Sequence, residues 1–157
     1  MRKLLFSTFL FGILLLSGCG NYIVDYIPVT LYVRVMDASR NDLLDPHSEH
    51  FLGTDISVEY RGKIEHLKPL KLTKEFPGVY SGLELIEKDG VYMLSFGELD
   101  GGNEYDDDFI IKWPDGSFDT IHYKRRFKHR LGTAPILDKE IWKLNGNETS
   151  NPVVIIK

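Results

Sequence analysis

Turn signals recur along this chain between short apolar-rich runs, and they constrain its fold more than any other feature. Arg61-Gly62, Asp89-Gly90 and Asn145-Gly146 each separate two such runs, and Pro114-Asp115-Gly116-Ser117 separates two more. Asp-Gly and Asn-Gly pairs tolerate positive φ at both central positions of a two-residue turn, the backbone that matches the twist of paired strands. Proline early and glycine late in a turn pre-set the same kind of reversal. A chain that folds back about every ten residues is a chain of short strands. No stretch carries the 3.6-residue apolar period of a long amphipathic helix, and there is no internal repeat or low-complexity segment.

The runs between the turns read as strands. In residues 29–36 every odd position (Val29, Leu31, Val33, Val35) is apolar, the alternation of a half-buried strand. Residues 56–60 and 63–67 form a hairpin about Arg61-Gly62, and residues 79–86 and 91–96 form a second about Asp89-Gly90. Residues 91–96 are apolar on nearly both faces and belong in the middle of a packed sheet. Residues 109–113 and 118–123 make the clearest hairpin, and residues 136–144 and 152–157 supply one or two closing strands. Residues 37–53 have loop composition, and at this length they form either a functional loop or a flap over the core, pinned by Leu43 and Leu44. The expected fold is all-β: an immunoglobulin-like antiparallel β-sandwich of 7–9 strands, with a small β-barrel as the alternative.

Ahead of the strands lies a different kind of segment. Arg2 and Lys3 precede thirteen uncharged residues, Leu4 to Leu16, diluted only by Ser7, Thr8 and Gly12. That is the build of an export signal. A spanning helix needs about 20 apolar residues, and this run gives way at once to Ser17, Gly18 and Cys19. Leu16-Ser17-Gly18-Cys19 resembles a bacterial lipobox, which implies acyl transfer to the Cys19 thiol and cleavage before it. Two or three acyl chains anchor a protein where one binds only reversibly. The expected organisation is a cleaved lipoprotein signal peptide over 1–18, a tether over 19–27 and a single β domain over 28–157.

Cys19 is the chain's only cysteine. Once it is lipidated, no thiol is left for a disulfide, a cysteine-bound metal or a nucleophile, so stability must come from a core. The chain has 19 basic and 23 acidic residues, and cleavage removes Arg2 and Lys3 from the basic side. A body this acidic argues against a nucleic-acid partner.

Candidate sites are few. Residues 100–108 read as a polar loop with five carboxylates; Asp100, Asp106 and Asp108 are its calcium candidates, but the regular spacing of an EF-hand loop is missing and a solvated loop is the expectation. His47-x-x-His50 with Asp45 and Glu49 lacks a third ligand in an expected place for zinc. Residues 124–130 hold six basic or imidazole side chains about Phe127. As a strand they present Lys124, Arg126, Lys128 and Arg130 on one face, as a guarded sheet edge does; pairing with the acidic residues 100–108 or plain solvation is the expectation, and recognition of phosphate or an acidic sugar the alternative. Trp113, Tyr105, Tyr123 and Phe118 could form a sugar platform, although aromatics on strands are more often core. His66 and His122 read as ordinary strand side chains. Asp119-Thr120-Ile121 resembles a Bacteroidota O-glycosylation pattern with Thr120 as acceptor. The Asn147-Glu148-Thr149 sequon is a eukaryotic signal. No nucleophile elbow, phosphate-binding Gly-Lys-Ser/Thr loop or His-Glu-x-x-His helix is present, so the chain is not read as an enzyme and no cofactor is called for.

The lipobox, residues 37–46, the strand and turn over 56–62, residues 96–101, Trp113-Pro114-Asp115-Gly116 and Leu144-Asn145-Gly146 together resemble uncharacterised small exported lipoproteins of gut Bacteroidota. The resemblance implies an exported β-rich domain and no particular activity. Surface-exposed members carry acidic residues just after the cysteine, whereas Gly20 to Val24 are uncharged here, which leaves both faces of the outer membrane open. The function expected is that of a lipid-anchored, non-catalytic binding or assembly module at the outer membrane, held by the lipid on Cys19, with an envelope protein or glycan as partner. The alternatives are a small-ligand-binding barrel and a glycan-acting hydrolase.

Overall fold

The computed structural model describes residues 28–68, 82–130 and 133–157. The signal peptide, Cys19, the tether and the first residues expected in the second hairpin lie outside the described residues. Within them every regular element is a strand: β1 (Val29–Met36), β2 (Ser57–Tyr60), β3 (Lys63–His66), β4 (Leu83–Lys88), β5 (Val91–Leu99), β6 (Tyr105–Lys112), β7 (Phe118–Lys128), β8 (Ile136–Leu144), β9 (Asn147–Thr149) and β10 (Val153–Ile156).

Three of the turns close in two residues. Tyr60 pairs with Lys63, Lys88 with Val91, and Leu144 with Asn147. The intervening Arg61-Gly62, Asp89-Gly90 and Asn145-Gly146 all have positive φ at both positions. That is the mirror-image turn the dipeptides favour. The β6–β7 turn is longer: the Trp113 amide donates to the Ser117 carbonyl (2.9 Å), and Gly116, at φ 81°, donates to the Trp113 carbonyl (3.0 Å).

The strands form two sheets, ordered β10-β1-β5-β4 and β3-β2-β6-β7-β8-β9. They face each other as a β-sandwich and do not close into a barrel: among the described residues β10, β3 and β9 each pair with one strand only, and the outer side of β4 meets a single bridge, Lys68 to Glu84. Among the described residues the count is ten rather than 7–9. Residues 136–157 contribute three strands, not one or two, because the tight turn at Asn145-Gly146 lets β9 fold back on β8 before the chain crosses to the other sheet. There β10 pairs with β1 in parallel, Val33 opposite Val153 through Met36 opposite Ile156, and every other pair is antiparallel. β5 lies between β1 and β4, as its two-faced apolar sequence implies.

Alternation carries one face of each sheet into a single core: Leu31, Val33 and Val35 of β1, Leu94 and Phe96 of β5, Phe109 and Ile111 of β6, Ile121 and Tyr123 of β7, and Val153 and Ile155 of β10. One cluster of three rings joins the sheets. Phe109 stacks on Tyr60 at 4.5 Å and meets Phe96 edge-on at 5.7 Å, geometries that add to the area they bury. The void between the sheets beside Phe96 and Ile111 measures about 10 Å³, which leaves it too small for a ligand.

The loop after β1 is the expected flap. Leu43 and Leu44 are buried, and the Leu43 amide donates to the Val35 carbonyl (3.0 Å). Asp42 fastens the flap twice, its Oδ1 accepting from the Leu44 amide (2.9 Å) and its Oδ2 from the Tyr92 amide (3.1 Å).

Candidate functional site

β7 is the strand on which the candidate chemistry converges, and its alternation sorts that chemistry onto two faces. Ile121, Tyr123, Arg125 and Phe127 are buried, while His122, Lys124, Arg126 and Lys128 face outward. Because β7 lies between β6 and β8, the basic run is not a guarded edge; it sits within the sheet, and its outward cations meet acids on the neighbouring strands. Asp106 and Asp108 belong to β6 rather than to a loop, directly opposite Lys124 and His122. Lys124 bonds Asp106. The His122 ring lies 2.8 Å from Asp108 through Nδ1 and 3.4 Å from Asp106 through Nε2. Lys128 pairs with Asp138 of β8.

Asp100 is separate from that group. It remains in the loop and accepts from the Gly102 amide (2.8 Å). Asp100, Asp106 and Asp108 therefore do not converge, and among the described residues no three His, Cys, Asp or Glu side chains stand close enough to hold a metal ion. His47 and His50 lie in the flap, where His50 faces Glu49 at 3.6 Å.

The hydrogen bond from Lys124, ahead of the charges of Lys124, His122 and Arg126, holds the Asp106 carboxyl below its ordinary value. A depressed native pKa contributes stability above the unfolded value of 3.8, and that stability is lost as pH falls through the native one. The stability gap between the wild type and Asp106→Asn is accordingly expected to narrow as pH drops from about 5 to about 2. Urea midpoints across that range check it, and a gap independent of pH would contradict it.

The aromatic platform does not form. Trp113, Tyr105 and Tyr123 are core residues, and only Phe118, at 66% exposure, stands in solvent. The Trp113 indole donates to Asp119 (2.7 Å), with the Lys157 ammonium 4.7 Å from its ring centre. Thr120 is half-buried on β7; its amide donates to Asn145 Oδ1 (2.9 Å), and its carbonyl accepts from the Asn145 amide (2.8 Å).

The inward face of β7 holds what the sequence reading missed. Arg125 is 9% exposed and lies opposite Glu140 in register. Its Nη1 stands 3.8 Å from Glu140 Oε1, and its Nε is buried with no hydrogen-bond partner. Glu140 is already engaged, accepting from the Tyr123 hydroxyl (2.7 Å). Burial first, and then that bond to Glu140, pushes the Tyr123 hydroxyl above its ordinary pKa, which keeps it a neutral donor near pH 7. Trp142 stacks on Tyr123 at 4.0 Å and 24°, forming a rigid wall beside the pair.

This group opens onto a cleft of about 590 Å³ lined by Arg125, Glu140 and Trp142 on one side and by residues 28–30, Tyr32, Ser150 and Asn151 on the other. The volume falls in the range of small-ligand sites. Asn151 builds the second wall: its Oδ1 accepts from the Tyr32 amide (2.9 Å) and its Nδ2 donates to the Thr30 carbonyl (2.7 Å). It thereby straps the crossover between β9 and β10 onto β1. Glu140 is the one carboxylate among the described lining residues. The cleft offers a buried guanidinium, a carboxylate acceptor and a polar wall.

Fold and cleft together describe a β-sandwich with a polar cleft at one side of its core. Compared with known proteins, the chain matches no family model, no curated protein and no solved structure.

Proposed function

We propose that the protein is a lipid-anchored, non-catalytic binding module of the outer membrane, tethered through Cys19 and presenting the Arg125 cleft to its partner. The observation that carries the binding half is the Arg125 Nε, buried without a partner at a cleft wide enough for a ligand. An unsatisfied buried donor costs about 1–3 kcal/mol, a cost that bound ligand would offset. The anchoring half rests on the leader: a basic start, a short apolar run and Leu16-Ser17-Gly18-Cys19.

Two experiments test the halves separately. Cys19→Ser is expected to abolish fatty-acid labelling and leave the precursor uncleaved; continued labelling refutes the anchor. Mature protein immobilised on beads is expected to retain an envelope component, protein or glycan, that the Arg125→Gln form does not. Retention of nothing above background, or equal retention by both forms, refutes the binding role of the cleft.

A further inference from the structure

The cleft also constrains the chemistry of what it binds, an inference that rests on the binding-module reading. Arg125 Nη1 stands 3.8 Å from Glu140, its guanidinium carbon lies 5.1 Å from the centre of the Phe127 ring, and its Nε is left without an acceptor. A guanidinium edge suits the two oxygens of a carboxylate. The Glu140 carboxylate in the same cleft opposes a doubly charged anion such as phosphate, while offering an acceptor to hydroxyl donors. A peptide laid along β1 as an added strand would need free backbone groups. The Tyr32 amide and Thr30 carbonyl at this wall are already taken by the Asn151 side chain.

From these observations we infer that the cleft binds a singly charged acidic saccharide, of the hexuronate class. Its carboxylate pairs with the Arg125 guanidinium, supplying the acceptor that Nε lacks, and its ring hydroxyls donate to Glu140 and bond to the polar wall of Thr30, Tyr32 and Ser150.

The test uses the full chain in detergent micelles, labelled with nitrogen-15, and follows its indole N–H resonances, since the sequence holds two tryptophans. Trp142 lines the cleft and reports on it. Trp113, hydrogen-bonded to Asp119, is the internal control. Sodium glucuronate is expected to shift the Trp142 resonance saturably and leave Trp113 in place, binding about tenfold more tightly than glucose or the methyl ester of glucuronate, which lack the charge. Arg125→Gln is expected to lose that preference, and the ester comparison decides the same point on wild-type protein if the variant does not fold.

Equal binding of glucuronate and its ester overturns the proposal, as does tighter binding of inorganic phosphate or of trialanine. Each of those results discards the acidic saccharide and retains a cleft that binds. Silence from every probe also overturns the proposal, and the bead experiment with Arg125→Gln then decides the binding-module reading on its own.

Discussion

Phe109→Ala is expected to lower the stability of the domain by about 3–5 kcal/mol, the range for truncating a buried phenylalanine. Phe109 is fully buried and touches both sheets, stacked on Tyr60 of β2 and edge-on to Phe96 of β5. Its loss therefore opens a cavity at the seam of the sandwich, where neither sheet can collapse without pulling its strands out of register. A domain of ordinary stability has about 5–15 kcal/mol in total, so the variant should unfold at a far lower urea concentration. Phe109→Leu, which refills most of the space, is expected to recover more than half of the loss. Chemical denaturation followed by tryptophan fluorescence measures both. A loss below about 1 kcal/mol for the alanine variant would mean that the ring cluster is not the joint between the sheets.

Asn151→Ala carries the second large effect, about 2–3 kcal/mol, because it leaves two backbone groups of β1 without their side-chain partner. The Tyr32 amide and the Thr30 carbonyl lie beyond the stretch of β1 that β10 pairs, which begins at Val33. Asn151→Asp is expected to fall between alanine and wild type: it keeps an acceptor for the Tyr32 amide but turns the second contact into oxygen facing oxygen. Amide hydrogen exchange gives the sharper readout. Tyr32 should lose protection in the alanine variant, whereas the amides of β6 and β7 far from the crossover keep theirs to within the global change. Unchanged protection at Tyr32 would show that the crossover holds β1 without the asparagine.

The same residue illustrates where sequence reasoning stops. Asn151 stands 119 residues from Tyr32 along the chain, and nothing local distinguishes it from any other turn asparagine. Its role exists only once the crossover has brought β10 beside β1. The parallel pairing is of the same kind. Alternation in Val153 to Ile156 states which side chains turn inward, but an edge strand with that pattern fits more than one sheet margin, and the antiparallel default follows from hairpins that this connection does not form.

Arg125 is more instructive, because half of its placement was available. Reading Lys124, Arg126 and Lys128 onto one face of a strand puts Arg125 on the other, beside Ile121, Tyr123 and Phe127. Charge argues against burying it there, and the sequence predicts only a surface strand that is solvated or paired with the acidic residues 100–108, a pairing that Lys124 and His122 do make with Asp106 and Asp108. What makes the burial tolerable is Glu140, brought opposite by the β7–β8 register. The Asp106 and Asp108 carboxylates were misread for a related reason. Acidic residues next to glycines look like loop, yet on β6 they face Lys124 and His122 across a strand pair, and cross-strand pairing of opposite charges favours the strand.

Local backbone chemistry thus determined the all-β class, the tight hairpins at Arg61-Gly62, Asp89-Gly90 and Asn145-Gly146, the central place of β5 and the inward faces of β1 and β7. Each of these follows from the preferences of adjacent residues and from the two-residue period of a strand. The tertiary structure alone decided that β10 runs parallel to β1, that Asn151 straps the crossover, and that an arginine faces inward beside a single carboxylate to make a cleft. Those features depend on which distant strands become neighbours, and that choice is fixed by the packing of a shared core rather than by any stretch of the chain.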